Sequence, residues 1–147
     1  MIDLAQPDAP PLVFGAEQRA FMPAAGRDVV AWKSGGSAEM SGLNSGALTL
    51  YWRATRQVEE LPIPGPQIAA ERISYPSVGN RFVAWWDDIQ HRQYVYDLAE
   101  RQFRRLAEYD GTAEERVTKS SLSGDLLVYT HYLSDEERYL EWALLPR

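Results

Sequence analysis

The sequence predicts an all-β chain built of β-propeller blades: three four-stranded antiparallel units forming an incomplete ring. Two observations predict it. The chain repeats itself with a period near 45 residues, and each repeat resolves into short apolar runs bounded by glycine followed by sparser apolar runs among charges. A sheet-forming repeat of that length, which cannot bury its faces until a neighbour stacks on it, is the signature of a propeller blade.

The repeat is clearest at its glycine turns. Gly79-Asn80-Arg81-Phe82-Val83-Ala84-Trp85 falls 53 residues after Gly26-Arg27-Asp28-Val29-Val30-Ala31-Trp32, with Arg19 on Arg72 and Pro23 on Pro76 upstream. Further on, Leu50-Tyr51 matches Val95-Tyr96 and Leu61 matches Leu106 at a spacing of 45, so the first unit carries an insertion of 8 residues. It lies within Lys33 to Ala47, a Gly- and Ser-rich stretch with loop composition. The third copy is weaker. Gly124 falls 45 after Gly79, Leu127-Val128-Tyr129 replaces Val83-Ala84-Trp85, and Tyr139-Leu140 falls 45 after Tyr94-Val95. This divides the single domain into an outer-strand latch at 1–17, blades at 18–63 and 64–108, and a third blade at 109–147 that lacks its outer strand.

Val29 to Trp32, Phe82 to Trp86 and Leu126 to Tyr129 are unbroken apolar runs, as expected of interior strands covered on both faces. Gln57 to Leu61 and Gln102 to Leu106 keep two apolar positions each among polar and charged ones, which suits half-exposed rim strands. Ser134-Asp135-Glu136-Glu137 before Arg138 to Leu145, and Thr112-Ala113-Glu114-Glu115, read locally as capping boxes that start helices. The repeat register nevertheless predicts a strand over Tyr139 to Leu144, because packing between sheets outweighs propensities of tenths of a kcal/mol per residue.

Composition narrows the function classes. The chain has 147 residues, 45% of them hydrophobic, enough for one ordinary core. A formal charge of -6 argues against nucleic acid or an anionic membrane surface as a partner. Without cysteine there is no thiol nucleophile, zinc-thiolate site or iron-sulfur cluster. Residues 1–11 hold three prolines, two aspartates and no basic residue, unlike a secretory signal, and no run of 18 apolar residues offers a membrane span.

Pro76 to Trp85, then Tyr94-Val95-Tyr96-Asp97-Leu98, then Arg104-Arg105-Leu106, resembles one repeat of the TolB-like β-propeller family. The resemblance covers roughly Gln18 to Leu145. It departs from the family's Ser-Pro-Asp-Gly turn, where Val78-Gly79-Asn80 and Ser123-Gly124-Asp125 stand instead. It implies a six-bladed fold, a periplasmic location, and either a non-catalytic binding or scaffolding module or the propeller portion of a larger enzyme such as a prolyl oligopeptidase-like peptidase. A carbohydrate-binding propeller is a further alternative. Three blades are fewer than the four to eight of closed propellers. Ile2-Asp3-Leu4-Ala5 looks like Tyr96-Asp97-Leu98-Ala99, so the segment Ala9 to Phe14 supplies the outer strand that the last blade lacks. Self-association of two copies, each latching the other, then completes a six-bladed ring, the competing reading being a piece of a longer propeller.

In a propeller the loops between second and third strands share one face with the connections between blades. That face collects Lys33 to Ala47, Asp87 to Arg92, Leu133 to Arg138, Pro64 to Glu71 and Asp110 to Arg116. Loops on a rigid scaffold carry function disproportionately often, although a lengthened loop is also simply tolerated. The candidate binding residues there are Trp86, Asp87, Asp88, His91, Arg92, His131, Asp135 and Glu136. Aromatic rings beside carboxylates can stack a sugar or a cation, and the acidity of the face favours a basic protein or peptide. Trp85 and adjacent aspartates also read as inter-blade core and solvated turn. No calcium-type loop or nucleophile elbow occurs, so neither a metal nor a cofactor is expected, and no catalytic residue is assigned. Trp52 and Trp142 fall at equivalent spacings; buried packing is the expectation, and exposure at the rim would make them interface anchors.

Overall fold

The short β-branched and aromatic runs do form strands, and the glycine turns between them set how the sheets stack. A computed structural model describes residues 13, 20–34, 47–61, 73–87, 92–108 and 116–146. The first sheet is β1 (Ala20–Ala25), β2 (Val29–Ser34), β3 (Ala47–Trp52) and β4 (Gln57–Glu60). The second is β5 (Ile73–Val78), β6 (Phe82–Asp87), β7 (Arg92–Asp97) and β8 (Gln102–Glu108). The third, among the described residues, is β9 (Arg116–Ser123), β10 (Leu126–Tyr132) and β11 (Arg138–Leu144). Each is an antiparallel meander in chain order, and the three blade-like sheets do not close into a ring.

Consecutive sheets meet at their first strands: β5 lies against β1 and β2, and β9 against β5, β6 and β7. Between the first two sheets, Val29, Ala31, Leu48 and Leu50 face Val83, Trp85, Tyr94 and Tyr96. Trp85 stacks on Tyr94 at 5.7 Å and meets Phe103 edge-on at 5.4 Å. Between the second and third, Phe82, Ala84 and Val95 face Leu127, Tyr129 and Leu145. Strand alternation thus sends Val83 and Trp85 to one neighbour and Phe82 and Ala84 to the other, which is why Phe82 to Trp86 reads as an unbroken apolar run. The rim strand β4 is largely exposed, Val58 included.

Three devices repeat from sheet to sheet. Pro23 and Pro76 sit where the β1–β2 and β5–β6 registers slip, a bulge being one place where a strand tolerates the missing N–H. A Cβ on Gly26 would lie 2.5 Å from Val78 Cγ1 and 2.8 Å from the Gly79 carbonyl, so the turns of adjacent sheets touch through glycine. The β3–β4 and β7–β8 turns likewise each place an arginine, Arg56 and Arg101, in the left-handed region (φ 57° and 54°).

The strand expected over Tyr139 to Leu144 is present as β11. The capping residues keep their local bonds but close a turn: Ser134 Oγ accepts from the Glu136 and Glu137 N–H groups, while Leu133 and Ser134 N–H donate to the Glu137 carbonyl. Sheet pairing of β11 with β10 over seven residues then overrides the helical propensity.

The third unit departs from the spacing of 45. Arg53 N–H bonds to the Asp28 carbonyl, Leu98 to Arg81, and Leu145 to Asp125, so Leu145 rather than a residue two earlier takes the place of Leu98. The β10–β11 connection is longer than its counterpart in the second sheet. Trp142 is therefore the counterpart of Val95 and Leu50, not of Trp52, and Leu144 takes the Trp52 and Asp97 place. The expectation that both tryptophans are buried is also corrected. Trp52 is half-buried under the Arg101 guanidinium, 5.3 Å from its ring, whereas Trp142 is 70% exposed because, among the described residues, no sheet covers its face of β11.

Candidate functional site

Register groups several chain segments at one end of the second sheet. Ile73 pairs with Asp87, Asp87 with Arg92, and Arg92 with Glu108, so the start of β5, the β6–β7 connection and the end of β8 share an end of the second sheet. Trp86, Asp87 and Arg92 stand there. Trp86 is half-buried, with its indole Nε1 buried and unpartnered among the described residues. Asp88 and His91 lie outside the described residues, as do most of the loops assigned to this face.

In the third sheet the same end carries Asp135 and Glu136, both exposed on the turn between β10 and β11. His131 is not displayed on that loop face, contrary to expectation. It lies within β10, on the side of Leu127 and Tyr129 that turns to the second sheet, is only 7% exposed, and its Nδ1 stands 2.9 Å from Glu141 Oε1. Strand alternation, invisible to a reading by loop position, turns it inward. Among the described residues no three metal-ligating side chains come together.

Among the described residues the densest charge cluster serves the sheet itself. Asp97, at the end of β7, is fully buried and accepts from Arg81 Nε and Nη2 at 2.9 and 2.7 Å and from the Ala99 and Glu100 N–H groups. Arg104 lies 3.4 Å away, and Arg81 and Arg104 also hold Glu100. Burial pushes the Asp97 carboxyl up, but the Arg81 fork and the two N–H groups outweigh it and hold it below the usual carboxylate range. The same hydrogen bond raises Arg81. Burial raises the Tyr96 phenol, and a hydrogen bond to Glu137 raises that of Tyr139. Gln93 ties the second sheet to the third, its Nε2 donating to the Trp85 carbonyl at 2.6 Å and to Ser120 Oγ at 3.2 Å.

Among the described residues the largest apolar exposure lies elsewhere, on the face of the third sheet turned away from the second. Cross-strand partners Leu126 and Leu144, Val128 and Trp142, and Thr130 and Leu140 share it. Leu140, Trp142 and Leu144 are 76%, 70% and 71% exposed. Leu126, Val128, Leu140, Glu141 and Trp142 line a shallow groove of about 380 Å³. A monomer seldom leaves such a contiguous apolar patch open without use. The sequence held the signal: Leu140, Trp142 and Leu144 alternate with Glu141 and Ala143.

No family model matches the chain, and no curated protein does. Among solved structures the chain is similar to a "putative conserved lipoprotein" from Clostridium novyi NT, with a TM-score of 0.61 and 11% identity over 87% of this chain and 90% of that one. At that identity the likeness shows the fold alone. Its extent is more than one or two sheets can supply, so the likeness is to the stacked set. Among the described residues no helix is long and apolar enough to cross a membrane.

Proposed function

We propose that this protein is a non-catalytic, protein-binding β-propeller module of TolB-like type that docks its partner through the uncovered face of the third sheet. The observation that carries this reading is the row Leu140, Trp142 and Leu144, exposed together on one face. An aromatic anchor amid aliphatic side chains is the composition of interface cores, where a few large residues supply most of the affinity.

Two further observations support it. The ionisable groups Arg81, Asp97, Glu100 and Arg104 are engaged with one another within one sheet, which suits a scaffolding role rather than a reactive one. Asp97 belongs to the Tyr94 to Leu98 stretch that carries the TolB-like resemblance, and the periplasmic location implied by that resemblance agrees with the lipoprotein description of the structural neighbour.

A photo-crosslinking residue tests the reading. With p-benzoylphenylalanine at position 142, irradiation in the native host is expected to trap a protein adduct, whereas the same residue at position 58, on the exposed rim of the first sheet, traps none. Failure to trap any protein from position 142 removes the proposal.

A further inference from the structure

Resting on that docking reading, we infer that the third-sheet face pairs with the same face of a second copy of this chain, across a twofold axis.

The face has a covered counterpart within the chain. By register, Leu126, Val128, Leu140, Trp142 and Leu144 stand where the second sheet has Phe82, Ala84, Gln93, Val95 and Asp97. In the second sheet those five side chains are buried, and Phe82, Ala84 and Val95 lie against the third sheet. The uncovered version is the more apolar, with leucines in place of Gln93 and Asp97 and a tryptophan in place of Val95. A face that extends an established stacking surface, and from which the polar residues have gone, is built to meet another sheet.

Which sheet follows from what is free. Head-to-tail stacking would seat it on the side of the first sheet turned away from the second. There Trp32, Thr49 and Tyr51 are already buried within the single chain. The three cross-strand pairs of the face carry no charge, and the one carboxylate lining its groove, Glu141, is held 2.9 Å from His131 Nδ1, so little like-charge repulsion opposes two copies despite a net charge of -6 on each. A twofold pairing needs one self-complementary patch and closes at two copies. Three strands, one of eight residues and two of seven, give a footprint about 15 Å by about 23 Å. That is small for a specific interface, so a dissociation constant on the order of 10 μM is expected.

Sedimentation velocity of the full 147-residue chain from about 1 to about 200 μM tests the inference. A reversible monomer–dimer equilibrium is expected, weakened at least about tenfold by Trp142→Glu and by Leu140→Lys, and unmoved by Val58→Glu on the rim of the first sheet. Both substituted face positions are exposed, so an unchanged thermal midpoint at dilute concentration is expected to accompany the loss. A folded monomer across the whole range, a dimer that Trp142→Glu leaves intact, or assemblies that grow beyond two copies would each overturn it. A monomer in solution together with an adduct to a different protein from position 142 overturns this pairing and leaves the broader docking proposal standing.

Discussion

Replacing Gly79 by alanine is expected to destabilise the protein by about 3 kcal/mol, lowering its thermal midpoint by about 10 °C for a chain of this size. A Cβ at Gly79 would press on the carbonyl oxygen of Gly124 in the neighbouring sheet, inside non-bonded contact, and would lie 3.5 Å from Leu122 Cβ. The obstructing atom is backbone and cannot rotate away. The second and third sheets would have to part at their turns, loosening Phe82, Ala84 and Val95 from Leu127, Tyr129 and Leu145. Gly124 is the matched control. A Cβ there meets nothing within 4 Å, and only its φ of +62° resists a side chain. Gly124→Ala should cost about 1 kcal/mol through that backbone strain alone. Urea unfolding of both variants, followed by tryptophan fluorescence, checks the ordering. Equal costs would mean that the turn-to-turn contact does not hold the sheets together.

Asp97→Ala should cost about 3 kcal/mol at neutral pH, because it removes the acceptor of two backbone N–H groups and strips Arg81 of its buried partner. Asp97→Asn should cost less, since its Oδ1 can still accept from Ala99 and Glu100. The pH dependence separates charge from hydrogen bonding. The folded state holds this carboxyl below its ordinary value, so through the acid range the unfolded chain binds the extra proton. The stabilisation is complete above about pH 4, the unfolded range, and is lost as pH falls through the folded value. The gap between the native protein and Asp97→Asn should therefore be widest near neutrality and close as the solution is acidified below about pH 4. Unfolding titrations at a series of pH values measure it. A gap independent of pH would show that the Arg81 pair contributes geometry but no net charge stabilisation.

Much of the architecture was legible because blade stacking imposes its pattern on every copy. Gly26 and Gly79 recur because the turns of adjacent sheets touch there, and Val83-Ala84-Trp85 is wholly apolar because its alternate residues serve two different neighbours. The Asp97 cluster was half legible. Its place in Tyr94 to Leu98 marked the strand end, but nothing in the spacing tied it to Arg81, whose position depends on the β5–β6 turn returning beside β7. The loop face was an expectation from topology, and most of its loops lie outside the described residues. His131 shows the weakness of that reading, since a position near a loop says nothing about the side of the strand on which a residue falls.

By itself, then, the sequence determined that the chain is all-β, where its glycine turns fall, and that residues 139–144 extend rather than coil, all consequences of local chain geometry repeated at a fixed period. Only the tertiary structure decided the register of the third unit and the fate of Trp142. Alternation groups Leu140, Trp142 and Leu144 on one face whatever lies opposite. Whether that face is core or surface depends on a neighbouring sheet being there to exclude water, and no local pattern encodes it.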